Sequence, residues 1–269
     1  MGETPRFSYY KFYPGSMMKN KIFKAEYAGH IIRFKFLCPE TRYMFIPKLS
    51  SEESDCYDIT TSYELLEEAK KYLPEGSRDA YIEYRVMLPL TSQELLKYDC
   101  CIFHAVSFIW ENKAWLLTAP SGTGKTTQYL NWERLFPNEI KMISGDMPVL
   151  ELKNDGTIWA NPSSWNGKED IGNQLSAPIA GIVILEQGEK NCISLLSAKD
   201  AVGTFFKQFI VRPVTDEQIY ALARLIDRML RSIPCFKMVN CGDDFSTALL
   251  RKTLSDVKED NIGNLNETL

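Results

Sequence analysis

Residues 115–129 read W-L-L-T-A-P-S-G-T-G-K-T-T-Q-Y, and this stretch constrains the fold more than any other. An apolar run over 114–117 has the composition of a buried strand. It breaks at Ala119-Pro120, and Ser121-Gly122-Thr123-Gly124 then leads into Lys125, Thr126, Thr127 and a helix-like stretch. Strand, glycine loop, Lys-Thr and helix, in that order, make a phosphate-binding P-loop. Glycines let backbone N–H groups curl around an anion, and the helix N-terminus adds partial positive charge. Ser121, Gly122, Thr123, Gly124, Lys125, Thr126 and Thr127 are therefore the expected nucleotide-binding residues. Lys125 is placed on the β- and γ-phosphates of ATP, and the Thr126 hydroxyl on Mg²⁺. The strict spacing wants a glycine where Ala119 stands. The remaining G-x-G-K-T core arises by chance about once in a hundred chains of this length.

A chain of 269 residues has room for one large domain or two modest ones. The composition, 45% hydrophobic and 25% charged, is that of an ordinary globular protein. A net charge of −4 leaves no nucleic-acid footprint. The longest apolar stretch, near 177–185, falls short of the about 20 residues a membrane helix needs. Met1-Gly2-Glu3-Thr4-Pro5-Arg6 has neither a secretory nor a myristoylation pattern. The seven cysteines are odd in number and form no C-x-x-C pair, which argues against a disulfide framework or a zinc site. A reducing, cytoplasmic location is the expectation. With two histidines in all, a His-rich metal site is excluded.

Along the chain, residues 1–94 read as a small β-rich domain. Strands are expected at 21–27, 31–37 and 80–87, with a short helix at 63–72. His30 reads as a turn residue. Thr91-Ser92-Gln93-Glu94 has the form of a capping box opening a short helix. Two adjacent strands follow, 101–110 carrying His104 and 114–118 feeding the glycine loop. A helix at 126–135 and a strand at 139–143 come next. Strand–helix–strand connections are right-handed and parallel, so the ends of both strands share one sheet edge. That puts Ser144-Gly145-Asp146 beside the phosphate loop, where a Mg²⁺·ATP site needs an acid. Asn154-Asp155-Gly156 signals a hairpin between 149–152 and 157–160. The polar loop 161–172, with Trp165, Lys168, Glu169 and Asp170, is placed to return to the same site. Strands at 180–186, 192–196 and 235–239 are interleaved with helices from 197 to about 209 and from Thr215 onward. The second of these carries Ile219, Leu222, Ala223, Ile226, Met229 and Leu230 as its apolar stripe. Asp243 or Asp244 caps a last helix, and 258–269 is a polar tail. The fold class is thus α/β, a P-loop kinase domain over 95–257 with a mixed sheet, preceded by the β-rich part.

The succession F-H-A-V at 103–106, S-G-T-G-K-T-T at 121–127 and I-S-G-D at 143–146 resembles the HPr kinase/phosphorylase catalytic domain. It is closer still to the HPr-kinase-like bacterial proteins, some of which tailor peptides such as lasso peptide precursors. The resemblance covers roughly 95–254. It implies that His104 lies close to the catalytic site. It also implies a pair of acids at the end of the strand after the P-loop helix, one a general base and one supporting the metal. Here that pair reads Gly145-Asp146. Either Asp146 does both jobs, or Glu169 or Asp170 supplies the second carboxylate. A glycine-rich signature tied to the reverse, phosphorolytic reaction is matched only loosely by 167–172. The implied activity is ATP- and Mg²⁺-dependent transfer of the γ-phosphate to a hydroxyl, foremost a Ser of a protein or peptide. Lys168 or Arg212 would neutralise charge on the transferred group. The alternatives are a nucleotide-binding regulatory protein without transfer, or a kinase of a small molecule such as free serine. Members of the family are often oligomers, so self-association is part of the same expectation.

Overall fold

The computed structural model describes residues 22–45, 57–167 and 172–259. It begins with the hairpin of β1 (Ile22–Tyr27) and β2 (His30–Lys35). Ala28 and Gly29 make its turn, both at positive φ, as two-residue hairpin turns require. After a 3-10 turn at Pro39–Phe45, β3 (Tyr57–Thr60) joins β2 in parallel. Ser62 caps α1 (Tyr63–Lys70) by accepting from the Leu65 amide.

The next element departs from expectation. Residues 79–95 form one 17-residue helix, α2 (Asp79–Leu95), where the sequence suggested a strand and then a new helix start. Its buried face includes Glu83, Thr91 and Ser92 beside Ile82, Met87, Leu88 and Leu95. Polar residues on the inward face hide the 3.6-residue period from a count of apolar residues. Pro89 inside the helix reads as a break. Thr91 does not cap a helix, and its hydroxyl donates to the Met87 carbonyl one turn back.

The expected strand 101–110 is also two elements. β4 (Cys100–Ile102) pairs with β8, while β5 (Val106–Trp110) pairs with β6 (Lys113–Thr118) and β7. The chain changes partners at His104-Ala105, so His104 lies between strands. α3 (Lys125–Leu135) then crosses to β7 (Ile140–Ser144). β5 is antiparallel to both β6 and β7, so β6 and β7 run the same way with their C-terminal ends at one edge. This is the arrangement the connection rule anticipates.

β8 (Val149–Leu152) and β9 (Ile158–Asn161) form the expected hairpin. β10 (Ala177–Gln187) is the central strand. Its first residues pair antiparallel with β9, and its later ones pair in parallel with β6 and β12. β11 (Cys192–Leu196), α4 (Ala198–Gln208), α5 (Asp216–Ser232), β12 (Cys235–Asn240) and α6 (Asp244–Glu259) complete the described residues. The large sheet runs β4-β8-β9-β10-β6-β5-β7, with β12 also on β10 and β11 at the edge of β12. α6 takes in the first two residues assigned to the polar tail. The fold is α/β with mixed sheets. Among the described residues, no helix is long and apolar enough to cross a membrane.

Both faces of the central strands are covered. Along β6 and β10, Leu116, Ile182 and Ile184 face a cluster containing Phe205 of α4 and Leu222, Ile226 and Met229 of α5. The alternate residues Trp115, Leu117, Val183 and Leu185 face Tyr129 and Trp132 of α3 and Leu250 and Leu254 of α6. Strands buried on both sides read as continuous apolar runs, as these do. The stripe of α5 is shifted from the expected one. Leu222, Leu225, Ile226 and Met229 are buried, whereas Ile219 is 51% exposed. The capping box at Thr215 directs Gln218 inward, where its side chain accepts from the Val214 amide. That polar contact takes the place an apolar residue would have had.

A third cluster joins the small sheet to the large one. Phe23, Tyr27, Phe34 and Phe45 pack with Met147, Val149 and Trp165. Gly181 has no room for a side chain, because a Cβ there would lie 2.5 Å from Cζ3 of Trp115. Gly181→Ala is therefore expected to destabilise the fold by about 1–3 kcal/mol through overpacking. Urea unfolding of the variant against the parent measures it.

Candidate active site

β6 ends at Thr118 and the chain turns through 119–124 into α3. Gly122 and Gly124 have φ of 81° and 104°, conformations a side chain resists. Gly124 is the N-cap of α3 and supplies no side-chain cap. The first N–H groups of the helix are left for an acceptor from outside the helix. Gln187 steadies the loop tip by donating to the Gly122 carbonyl at 3.3 Å. Thr123 folds its hydroxyl onto the Pro120 carbonyl at 2.9 Å. Ser121 and Thr127 are exposed, and Thr126 is half-buried in the first turn.

Lys125 is only 7% exposed. Its ammonium donates to the carbonyls of Ala119 at 3.0 Å and Pro120 at 3.4 Å, curling across the loop. Burial pushes its pKa down, and the negative charge of Asp146 partly offsets that shift. A desolvated cation beside uncapped N–H groups is a site short of negative charge, which fits the phosphates of a nucleotide.

The first turn of α3 is fixed from behind by residues that sequence reasoning did not single out. Gln128 is fully buried and donates to Asn240 at 2.8 Å and to Ser246 at 2.7 Å. Its carbonyl oxygen accepts from the Thr247 hydroxyl at 2.8 Å. Helix α3 is thereby tied to the end of β12 and the start of α6. A Gln two residues past a Lys-Thr pair carries no local signal of this role, because all its partners are more than a hundred positions away.

Across from the loop, Nε2 of His104 lies 3.3 Å from Oδ1 of Asp146. Nδ1 of His104 is 2.9 Å from Oε1 of Gln208, the last residue of α4. The backbone of His104 is pinned as well. Its amide donates to the Gln208 carbonyl at 2.8 Å, and its carbonyl accepts from the Thr118 hydroxyl at 2.8 Å. The Ala105 amide donates to the Asp146 carbonyl at 2.8 Å. The imidazole is thus clamped between an amide and a carboxylate. With Nδ1–H donating to Gln208, Nε2 is the ring nitrogen that faces the Asp146 carboxylate. With the amide turned over, Nε2–H donates to Asp146 and Nδ1 accepts. Either way the ring holds the carboxylate in one orientation. Gln208 is another residue that the sequence did not reveal.

The loop after β9 does return to this place. A Cβ on Gly167 would meet the Asp146 Cβ at 3.1 Å, and Gly167 has φ of 77°. The Ser144 hydroxyl donates to Asn166 at 3.2 Å, and Ser144 bridges to Gly172. Trp165 of this loop stacks on Tyr27 and Tyr84 and donates from its indole to the Tyr84 carbonyl. The Tyr84 hydroxyl donates to the Ser164 carbonyl at 2.7 Å. Lys168, Glu169 and Asp170 lie outside the described residues. Arg212 is exposed after α4 and, among the described residues, makes no hydrogen bond or ion pair with His104, Asp146 or the loop. Of the three residues expected to hold Mg²⁺, Thr126 and Asp146 are among the described residues and Glu169 is not. A single carboxylate suffices for an ion that keeps waters and takes phosphate oxygens.

The molecule is an α/β protein with a glycine loop, a buried lysine and a clamped His–Asp pair at one sheet edge. No protein-family model matches the chain, and no curated protein matches it. Among solved structures it is similar to the Hpr(Ser) kinase/phosphatase from Coxiella burnetii. The TM-score is 0.34 and the identity 10%, over 58% of this chain and 98% of that one. A likeness so slight carries no conclusion about fold or function.

Proposed function

We propose that the protein is an ATP-dependent kinase that phosphorylates a hydroxyl group, foremost a Ser of a protein or peptide. The observation that supports this best is the approach of the His104–Asp146 pair to the Lys125 loop. One element supplies charge for phosphates, and the other supplies a carboxylate oriented to accept a proton. Phosphoryl transfer needs little beyond these two things.

On this reading the residues divide the work as follows. The 121–127 backbone and Lys125 hold the β- and γ-phosphates of ATP. Thr126 and Asp146 would hold Mg²⁺, which neutralises charge on the phosphate oxygens. Asp146 accepts the proton of the attacking hydroxyl as its oxygen bonds to the γ-phosphorus and ADP leaves. His104 holds Asp146 in place, and Gln208 holds His104. Gly167 lets the 162–167 loop lie against Asp146 and wall off one side of it.

The test is transfer of label from γ-labelled ATP to Ser-containing peptides, with Lys125→Met as the control. The variant is expected to lose at least about a hundredfold in transfer, as when one preorganised charge is removed. Its unliganded fold should not be weaker, because a buried, desolvated ammonium is a cost to the empty protein. The pH dependence gives a second readout. The folded state of the parent lowers the Lys125 pKa, so the unfolded chain binds more protons just below the ordinary lysine value. Stability of the unliganded parent therefore rises with pH in that window, and Lys125→Met flattens the rise. Tight ATP binding with no label on any acceptor would favour a nucleotide-responsive binding protein. Label on free serine alone would move the substrate from peptides to metabolites.

A further inference from the structure

A second cluster of chemistry-bearing side chains lies apart from the His104–Asp146 pair. His30, Cys100 and Glu151 bring an imidazole nitrogen, a thiol sulfur and a carboxylate oxygen within 4.8 Å of one another. The three come from different parts of the chain. His30 opens β2 directly after the first hairpin turn, Cys100 opens β4, and Glu151 lies on β8. Cys100 and Glu151 are register partners across the β4–β8 ladder, which puts their side chains side by side on one face. His30 stacks on Tyr98, with ring centroids 3.9 Å apart and planes 15° apart, so its ring is already held.

We propose that these three residues form a binding site for a borderline divalent cation of the Zn²⁺ class, a role independent of the kinase reading. Sulfur, imidazole and carboxylate together select such an ion over Mg²⁺ or Ca²⁺, which prefer oxygen alone. Charge supports the assignment. Cys100 is fully buried and Glu151 is 7% exposed. On binding, the metal–sulfur bond replaces the S–H bond and the thiol proton goes to solvent. A thiolate, a carboxylate and a neutral imidazole around a dication leave the buried site with no net charge. Three protein ligands leave a fourth position for water.

Without a metal, the cation on Glu151 is Lys153, whose ammonium lies 2.5 Å from one carboxylate oxygen. Asn161 donates to the other oxygen at 3.1 Å and fixes the carboxylate plane. The Lys153 side chain is 42% exposed and also lies over the Trp159 ring. Lys153 is thus a built-in competitor for the metal. Bound metal would staple the first hairpin to the large sheet at β4 and β8.

The test uses the full chain, freed of metal with a chelator and titrated with Co²⁺. Expected is one ion per chain with a thiolate-to-cobalt charge-transfer band that Zn²⁺ bleaches by competition. Cys192 and Cys241, the exposed cysteines among the described residues, are replaced by Ser throughout. Cys100→Ser should abolish the band, and His30→Ala and Glu151→Gln should each weaken binding by roughly tenfold or more. Lys153→Ala should tighten binding, a change that a merely structural cluster would not produce. The proposal is overturned if the parent shows no band, if the band survives Cys100→Ser, or if Lys153→Ala weakens binding. Should Cys100→Ser fail to fold, the Lys153→Ala and Glu151→Gln affinities decide the matter.

Discussion

Replacing Asp146 with Asn is expected to cut phosphoryl transfer by roughly 10²–10⁴-fold, the usual worth of a positioned general base. The amide matches the carboxylate in shape, so the contact with Gly167 and the neighbouring His104 ring are preserved. It cannot take up the proton of an attacking hydroxyl, and it is a poorer ligand for Mg²⁺. Two measurements separate these losses. Binding of ATP without Mg²⁺ should stay near that of the parent, because the loop and Lys125 are untouched. Single-turnover transfer at saturating Mg²⁺ should still be slow. Near-normal transfer by the Asn variant would move the base elsewhere, with Glu169 or Asp170 the residues to replace next. The partners of His104 predict the smaller effects. Gln208 touches the imidazole and not the acid, so its loss should cost less than that of Asp146.

The second large effect concerns stability. Glu83 is fully buried on α2, and its carboxylate accepts four hydrogen bonds. The donors are the amides of Leu37 at 2.6 Å and Cys38 at 2.9 Å, and the hydroxyls of Thr41 at 2.7 Å and Thr61 at 2.5 Å. One side chain thereby joins the end of the first hairpin, the 3-10 turn and the start of α1 to α2. Glu83→Ala leaves these donors unpaired in a dry interior, at about 1–3 kcal/mol for each that finds no water. A total on the order of 3–5 kcal/mol is expected, a large share of a typical domain's stability. Glu83→Gln keeps one acceptor oxygen and should fall between parent and Ala. Chemical denaturation of the three proteins tests the order. Equal stability of all three would mean that water replaces the carboxylate at no cost.

Glu83 also explains why α2 was hard to read from the chain. Its inward face is part polar, and nothing local says that Glu83, Thr91 and Ser92 point inward. The partners of Glu83 lie on segments that come together only in the fold, whereas Thr91 bonds to Met87 one turn back and Ser92 accepts from the Ile102 amide. The legible parts were those whose physics is local. The glycine loop with its Lys-Thr, the Asp-Gly hairpin and the Thr215 capping box each carry their reason within a few residues. The placement of Asp146 came from the handedness of a single crossover and needed no long-range information. His104 was singled out through a family resemblance. Its position between strands depends on β4 and β5 lying far apart in the sheet order, which no local pattern encodes. Gln208 and Gln128 matter through contacts more than a hundred residues distant in sequence.

The stacking of Trp165 on Tyr27 and Tyr84 bears on how the chain reaches its folded state. The Tyr27–Ser164 and Tyr84–Ser164 hydrogen bonds close loops of 137 and 80 residues. Contacts so far apart in sequence are slow to form, because chain entropy is lost before they repay it. The first third of the chain is synthesised early, yet its aromatic core lacks its largest member until residue 165 has emerged. Completing that core and seating the loop beside Asp146 therefore depend on the same short stretch, residues 164–167.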